Sequence, residues 1–124
     1  MARPFVLYSY AGCSTCRDAV KWLGQHALSF DERPIYTEPP PVTELRRMLA
    51  HYDGDVRRLF NTSGLEYRAL GLKTKLPALS PAEALALLSS NGKLVKRPFL
   101  LGEKVGVVGF KPAEWAERLL GAPR

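Results

Sequence analysis

The chain has 124 residues, of which 46% are hydrophobic, so it is long enough for one buried core and is not intrinsically disordered. No stretch of about 18 apolar residues occurs, so we expect no segment that spans a membrane and no membrane partner. The net charge of +6 fits either an arginine-rich soluble surface or an anionic partner, and we expect no direct binding of nucleic acid.

The first predicted elements are a strand and a helix joined by a tight turn. The apolar run Phe5–Tyr10 predicts a short buried strand, and Ala11-Gly12 supplies the turn after it. A helix then begins near Ser14 or Thr15, either of which is able to cap it, and ends near residue 26. The two cysteines of the chain lie at this junction.

Cys13 and Cys16 lie one helical turn apart and therefore on the same side of the predicted helix. The first N–H groups of a helix lack internal partners and carry partial positive charge, which favours a thiolate over a thiol. Such a position lowers a cysteine pKa from about 8.5 into the range of about 3.5–7.5, and Arg17 adds a positive charge nearby. The two alpha carbons would be about 5–6 Å apart, within reach of a disulfide.

A Cys-x-x-Cys pair has three interpretations: a dithiol–disulfide redox pair, half of a zinc site, or unreactive core residues. Zinc needs about four ligands, and the chain adds only His26 and His51, which do not form a paired-histidine motif, so we predict no metal site. Residues 1–4 carry no cleavage-site pattern, so we expect a cytoplasmic protein. A lone cysteine pair in that compartment is more often catalytic or sensing than structural, which favours thiol redox chemistry.

The elements after the first helix alternate between strands and helices. Leu28–Arg33 predicts a second strand, and the proline-rich segment 34–41 predicts a loop. Short helices follow, with Thr43 as the predicted cap of the first and the Ser80-to-Glu83 pattern as the strongest helix start. The remaining predicted elements are a hairpin and a last helix. The first strand of the hairpin runs from Leu94 to Leu101 with Pro98 inside it, the second covers Val105–Val108, and the helix runs from Pro112 to Gly121.

This order of elements predicts an α/β fold with a mixed four-stranded sheet flanked by helices, in a thioredoxin-like arrangement (βαβ, helical insertion, ββα). We treat residues 1–124 as a single domain with a helical insertion at about 42–91, because neither half is large enough to bury a sheet alone. In this layout Pro98 follows Arg97 where the chain approaches the cysteine loop. The peptide bond between them is either cis, for close contact, or trans at a strand edge.

Three segments of the chain resemble the arsenate reductase and Spx family, which are small thioredoxin-fold proteins with a helical insertion. The order and spacing of the three match the family over nearly the whole chain. The segments are Tyr8–Ala19 with Cys13-Ser14-Thr15-Cys16-Arg17, Leu59–Leu72 with Asn61-Thr62-Ser63-Gly64, and Lys96-Arg97-Pro98 leading to Val108-Gly109-Phe110.

The resemblance to arsenate reductases implies that the first cysteine attacks an oxyanion whose charge three arginines stabilise. Cys13 matches that nucleophile and Arg97 matches one arginine, whereas Asn61 stands near the second position and Val108-Gly109 near the third. Each missing charge-assisted contact costs about 1.5–3 kcal/mol, so the match argues against arsenate reduction. Our candidate substrate-binding residues are Arg97, Pro98, Arg17 and Asn61, with a plain surface charge as the alternative for Arg97.

The resemblance implies two functions, and the chemistry of the cysteines is the same in both. In a thiol–disulfide oxidoreductase with no bound cofactor, Cys13 attacks glutathione adducts or a protein disulfide, and Cys16 resolves the mixed disulfide. In a redox-sensing regulator of the Spx type, the same pair oxidises and changes a surface that binds the RNA polymerase α subunit. A fold remnant with unreactive cysteines is the third interpretation. The aromatic residues Tyr8, Tyr10 and Phe110 are expected in the core rather than in the site.

Overall fold

A mixed four-stranded sheet forms the centre of the fold. The computed structural model describes residues 5–121, so the expectation about residues 1–4 lies outside that range. Strand β1 (Phe5–Ser9) runs parallel to β2 (Phe30–Pro34) and antiparallel to β3 (Phe99–Leu101), which pairs antiparallel with β4 (Gly106–Val108). The order across the sheet is β2-β1-β3-β4, and the predicted thioredoxin-like arrangement is confirmed.

Within the described residues, six α-helices accompany this sheet. They are α1 (Ser14–Gln25), α2 (Val42–Ala50), α3 (Leu65–Ala69), α4 (Leu72–Lys75), α5 (Pro81–Ser90) and α6 (Pro112–Leu120). The first lies between β1 and β2, the next four lie between β2 and β3, and the last follows β4. None of the helices in residues 5–121 is long and apolar enough to cross a membrane.

Two apolar cores lie on opposite faces of the sheet, because side chains alternate between the faces along each strand. On one face Leu7 and Leu100 pack with residues of α1 and α6, including the fully buried Trp115. On the other face Tyr8 and Phe99 pack with residues of α2 and α5. The sheet is therefore covered on both sides, and the loop after β1 presents Cys13 at its end.

Of the three helix caps predicted from the sequence, one is confirmed and two are wrong. The capping box of α5 is confirmed, since the Ser80 hydroxyl accepts from the Glu83 N–H at 3.1 Å and the Glu83 carboxylate accepts from the Ser80 N–H at 2.8 Å. The prediction that Thr43 caps α2 is wrong, because α2 begins earlier and its N-cap is Pro41, without a side-chain bond. The prediction that Ser14 or Thr15 caps α1 is also wrong, because Cys13 occupies that position.

The predicted strand around Pro98 is confirmed only at Phe99–Leu101, and its first part, Leu94–Arg97, is wrong. In this segment only Val95 forms a β-bridge, an isolated one with Phe60. The backbone N–H of Asn61 donates to the carbonyl oxygen of Leu94 at 2.7 Å. These contacts attach the segment to the residues between α2 and α3 instead of to the sheet, and they carry Asn61 toward Arg97.

Candidate thiol site

Cys13 is the N-cap residue of α1. A turn leads out of β1, in which the Cys13 N–H donates to the carbonyl oxygen of Tyr10 at 2.9 Å. The backbone of Cys13 is extended, with φ −98° and ψ 113°, as is typical of an N-cap. Its Sγ accepts from the Cys16 N–H at 3.3 Å, and its carbonyl oxygen accepts the first helical bond, from the Arg17 N–H at 3.1 Å. The sulfur is therefore the hydrogen-bond partner of an N–H group in the first turn of the helix.

The two cysteines differ in exposure. Cys13 is partly exposed, whereas Cys16 is only 2% exposed and packs behind it. Both are free thiols in this structure. The interpretation of both cysteines as buried core residues therefore does not fit Cys13, which is accessible from outside.

The surroundings move the two thiol pKa values in opposite directions. Burial alone raises the pKa of Cys13, but the hydrogen bonds from the Cys16 thiol and backbone N–H, together with the Arg97 charge, outweigh burial and lower that pKa. Burial also raises the pKa of Cys16, and the hydrogen bond to Cys13 adds to this effect, bringing that pKa to about 12. The arrangement therefore makes Cys13 the more acidic of the two thiols and keeps the proton on Cys16.

Arg97 lines the same pocket as Cys13. Its peptide bond to Pro98 is cis, so the first of the two alternatives for this bond is confirmed. The guanidinium donates to the Tyr36 hydroxyl at 3.0 Å and lies over the rings of Tyr36 and Tyr10, at 5.3 Å and 5.5 Å from their centroids. These two rings stack on each other with a centroid distance of 4.2 Å. The aromatic pair fixes where the charge of Arg97 lies.

Cys13 opens into a cavity of about 410 Å³ that is lined by several basic side chains. The cavity brings together three of the predicted site residues, Cys13, Asn61 and Arg97. It also contains three basic residues that sequence reasoning missed: Arg58, Lys96 and Lys111. The pocket is therefore cationic even though Asn61 stands where the family resemblance expects an arginine.

Other predicted site residues lie outside the lining of this cavity. The Arg17 side chain is exposed and donates to the carbonyl oxygen of Ala11 at 2.8 Å, so it braces the cysteine loop. Pro98 is buried, and its carbonyl oxygen accepts from the Gly109 N–H at 2.9 Å. Cys16 lies below the surface, behind Cys13. The charge of Arg17 is therefore used on a backbone carbonyl and not in the pocket.

The aromatic residues near the site divide between core and surface. Tyr8 is buried and donates to the Glu44 carboxylate at 2.8 Å, as expected of a core residue. Tyr10 is 39% exposed, so the expectation that it belongs to the core is wrong. Phe110 lines the cavity and also packs edge-on against the buried Trp115, with 4.9 Å between the ring centroids, so it belongs both to the site and to the core. Tyr36 has no signal in the sequence, since it lies in the proline-rich loop outside any motif.

Comparisons with known proteins identify the family of the chain. A model of the ArsC family matches residues 8–118, which is most of the chain. The chain belongs to the ArsC family. This confirms the resemblance drawn from the cysteine loop, the Asn61 segment and the Arg97-Pro98 segment. The match includes every residue that lines the Cys13 cavity.

Three similar proteins show how widely members of this family differ in their names. The uncharacterised protein YusI of Bacillus subtilis is 45% identical over 111 residues, covering 89% of this chain and 93% of that protein. The global transcriptional regulator Spx of Enterococcus faecalis is 32% identical, covering 87% of this chain and 80% of that protein. The crystal structure of an ArsC family related protein from Bacteroides fragilis has a TM-score of 0.87 and 41% identity, covering 94% of this chain and 98% of that one.

Proposed function

We propose that this protein carries out thiol–disulfide exchange, with the Cys13 thiolate as nucleophile. One observation carries the proposal: the Cys13 sulfur accepts the Cys16 N–H at the start of α1 and lies in an open pocket beside Arg97. A thiolate needs access and a lowered pKa to attack a disulfide, and the site has features that favour both.

In this proposal Cys16, whose N–H contacts the Cys13 sulfur, acts as the resolving thiol. The Cys13 thiolate attacks one sulfur of a disulfide, the bond between the two substrate sulfurs breaks, and one substrate thiolate leaves. Cys16 then loses its proton and attacks the Cys13 sulfur, which closes a Cys13–Cys16 disulfide and releases the second substrate thiolate. The protein dithiol loses two electrons, and the substrate disulfide gains them.

The partner in this proposal is a glutathione adduct or a protein disulfide. Arg97 supplies a guanidinium near the thiolate, and guanidinium groups bind carboxylates such as those of glutathione. A reducing compartment such as the cytoplasm suits a lone cysteine pair that is used for catalysis or sensing. No bound cofactor is needed, because both electrons come from the two thiols.

The rate of alkylation of Cys13 as a function of pH tests the proposal. We expect Cys13 to react with an apparent pKa below that of an ordinary cysteine, and Cys16 to react slowly because it is buried. A Cys16→Ser variant exposed to oxidised glutathione should hold a mixed disulfide at Cys13, seen by mass spectrometry, whereas a Cys13→Ser variant should hold none. An apparent pKa at or above about 8.5 for Cys13 would contradict the proposal.

A regulatory role is the second candidate, and the 32% identity to a global transcriptional regulator favours it. In that role, closing the Cys13–Cys16 pair would alter a surface that binds the RNA polymerase α subunit. Immobilised protein, reduced in one sample and oxidised in the other, is mixed with purified α subunit. Retention that depends on the redox state supports the regulator, whereas multiple turnover of a disulfide without retention supports the exchange enzyme.

A further inference from the structure

The basic side chains that line the pocket at Cys13 outnumber its acidic ones. Glu114 is the one carboxylate among its lining residues, and it already pairs with Arg118 at 3.5 Å. Among residues 5–121 this is the only ion pair, so no basic residue of the pocket has a carboxylate partner in that range. The basic residues are Arg58, Lys96, Arg97 and Lys111.

The donors of these side chains are also incompletely used. Arg97 donates to Tyr36 through a terminal nitrogen, but its Nε is buried and has no hydrogen-bond partner. A buried donor without an acceptor costs free energy, and most native donors have one. The Arg58 guanidinium lies over the ring of Tyr52, at 4.8 Å from its centroid, and that contact leaves its N–H donors available. Arginine groups of this kind bind carboxylates through paired hydrogen bonds.

From this charge and these unused donors, we propose that the Cys13 pocket selects anionic disulfides, which carry carboxylates close to the sulfur atoms. The proposal rests on the thiol–disulfide function proposed above and names the substrate class for it. Cations that line one cleft raise the local concentration of an anionic ligand and its association rate, by about 10–10³-fold at low ionic strength. Guanidinium groups add directional binding, and ammonium groups add charge without a fixed direction.

The carboxylates of the substrate contribute to its binding, and the electron balance of the exchange stays the same. The Cys13 thiolate attacks the nearer sulfur of the anionic disulfide, and one anionic thiolate leaves. Cys16 then attacks the Cys13 sulfur, gives its proton to solvent, and releases the second anionic thiolate. Both leaving groups depart from a pocket whose cations stabilise negative charge on sulfur.

Single-turnover rates with three small disulfides of similar length test the charge preference. The probes are dithiodipropionate, which carries carboxylates, bis(2-hydroxyethyl) disulfide, which is neutral, and cystamine, which carries ammonium groups. Each rate is divided by the rate of a small reference thiol with the same disulfide, which removes the intrinsic reactivity of the probe. We expect the normalised rate for dithiodipropionate to exceed the neutral rate by about ten-fold at low salt and cystamine to fall below it. The differences should shrink in about 1 M salt.

A charge-reversal variant assigns the preference to the pocket. Lys96→Glu with Lys111→Glu reverses two exposed charges of the pocket. Lys21→Glu with Lys75→Glu makes the same change in net charge at exposed positions outside its lining. We expect the pocket variant to lose the preference for dithiodipropionate over the neutral disulfide and the control variant to keep it. Melting curves of both variants check that they are folded.

Each outcome bears on one of the two proposals. Equal normalised rates for the three disulfides would overturn the charge preference and leave the exchange function intact. A preference that survives in the pocket variant, or that the control variant also loses, would overturn the assignment to this pocket. If Cys13 reacts with none of the three disulfides, the exchange function itself is wrong, and the charge preference fails with it.

Discussion

The helices α1 and α5 begin in different ways. At α5, Ser80 and Glu83 exchange two hydrogen bonds and Pro81 occupies the first turn. At α1, the Cys13 sulfur accepts one N–H at 3.3 Å, and the first turn contains no acidic residue. Oxygen is a strong acceptor and thiol sulfur a weak one, so α5 has the better cap of the two.

The difference shows what each helix start contributes. At α5, the backbone N–H and the hydroxyl of Ser80 lower the pKa of the Glu83 carboxyl, so a residue of the helix itself occupies its positive end. At α1, the positive end has no such carboxylate, and its Cys16 N–H instead helps to lower the pKa of Cys13. One start serves stability, and the other leaves its electrostatic effect available for a thiolate.

The largest effect is expected when the weak cap of α1, Cys13, is replaced by serine, which makes the start of α1 more like that of α5. In Cys13→Ser, the rate of disulfide exchange should fall to background, because the nucleophile is gone. Serine is among the best N-cap residues, so the free energy of unfolding should stay the same or rise by up to about 1 kcal/mol. Exchange rates and urea unfolding measure the two effects on one sample. A loss of stability in this variant would show that the sulfur supports the fold more than its single bond suggests.

Removing the Arg97 charge separates two contributions to the lowered pKa of Cys13, that of the helix N-terminus and that of the pocket charge. In Arg97→Gln, the pKa of Cys13 should rise, since Arg97 is one of the groups that lower it. Below its pKa the thiol is mostly protonated, so the alkylation rate at neutral pH should fall and recover as the pH is raised. Arg17→Gln is the matched control, because Arg17 bonds to the Ala11 carbonyl and does not line the pocket. An equal rise in both variants would contradict the assignment to Arg97.

The sequence predicts the elements that depend on local patterns. The Ser80-to-Glu83 pattern is a local signal and appears as predicted, and the cysteine loop lies between β1 and α1 as the apolar run implies. The N-cap of α1 was placed too late because Ser14 and Thr15 are far more common caps than cysteine. Propensity favours oxygen acceptors, and here the backbone placed sulfur in that position.

The site itself is less predictable, because its parts come from distant segments. Asn61 and Arg97 could be inferred from the family motifs, whereas Tyr36 belongs to no motif and meets Arg97 across 61 positions of sequence. Arg58, Lys96 and Lys111 look like ordinary surface charges in the sequence, although Lys96 belongs to the Lys96-Arg97-Pro98 motif and the other two each adjoin a motif segment. A charge next to a motif residue could have been proposed as a pocket residue, but its direction depends on tertiary structure.

Weakening the strong cap of α5 is the reverse of the Cys13→Ser test at α1. In Ser80→Ala, the free energy of unfolding should fall by about 1 kcal/mol, because Ser80 and Glu83 lose their reciprocal bonds. The pKa of Cys13 should not change, since α5 contributes no residue to its pocket. Thr43→Ala is the control, because Thr43 was the expected cap of α2 but makes no capping bond, and it should leave stability nearly unchanged. Urea unfolding and alkylation profiles give the two quantities.

The smallest expected effect concerns how firmly the aromatic pair holds Arg97. Tyr36→Phe removes the hydroxyl that accepts from Arg97 at 3.0 Å and keeps the ring under the guanidinium. A hydrogen bond of this kind is worth about 0.5–1.5 kcal/mol, so Arg97 should be held less firmly and the pKa of Cys13 should rise, by less than in Arg97→Gln. Tyr10→Phe is the matched control, because Tyr10 contributes its ring face, and within residues 5–121 no hydrogen bond of its hydroxyl is found. The alkylation profile of Tyr10→Phe should match that of the wild type. If the Tyr36→Phe profile also matches it, the ring faces alone hold Arg97 in place and the hydroxyl has no part in setting the pKa of Cys13.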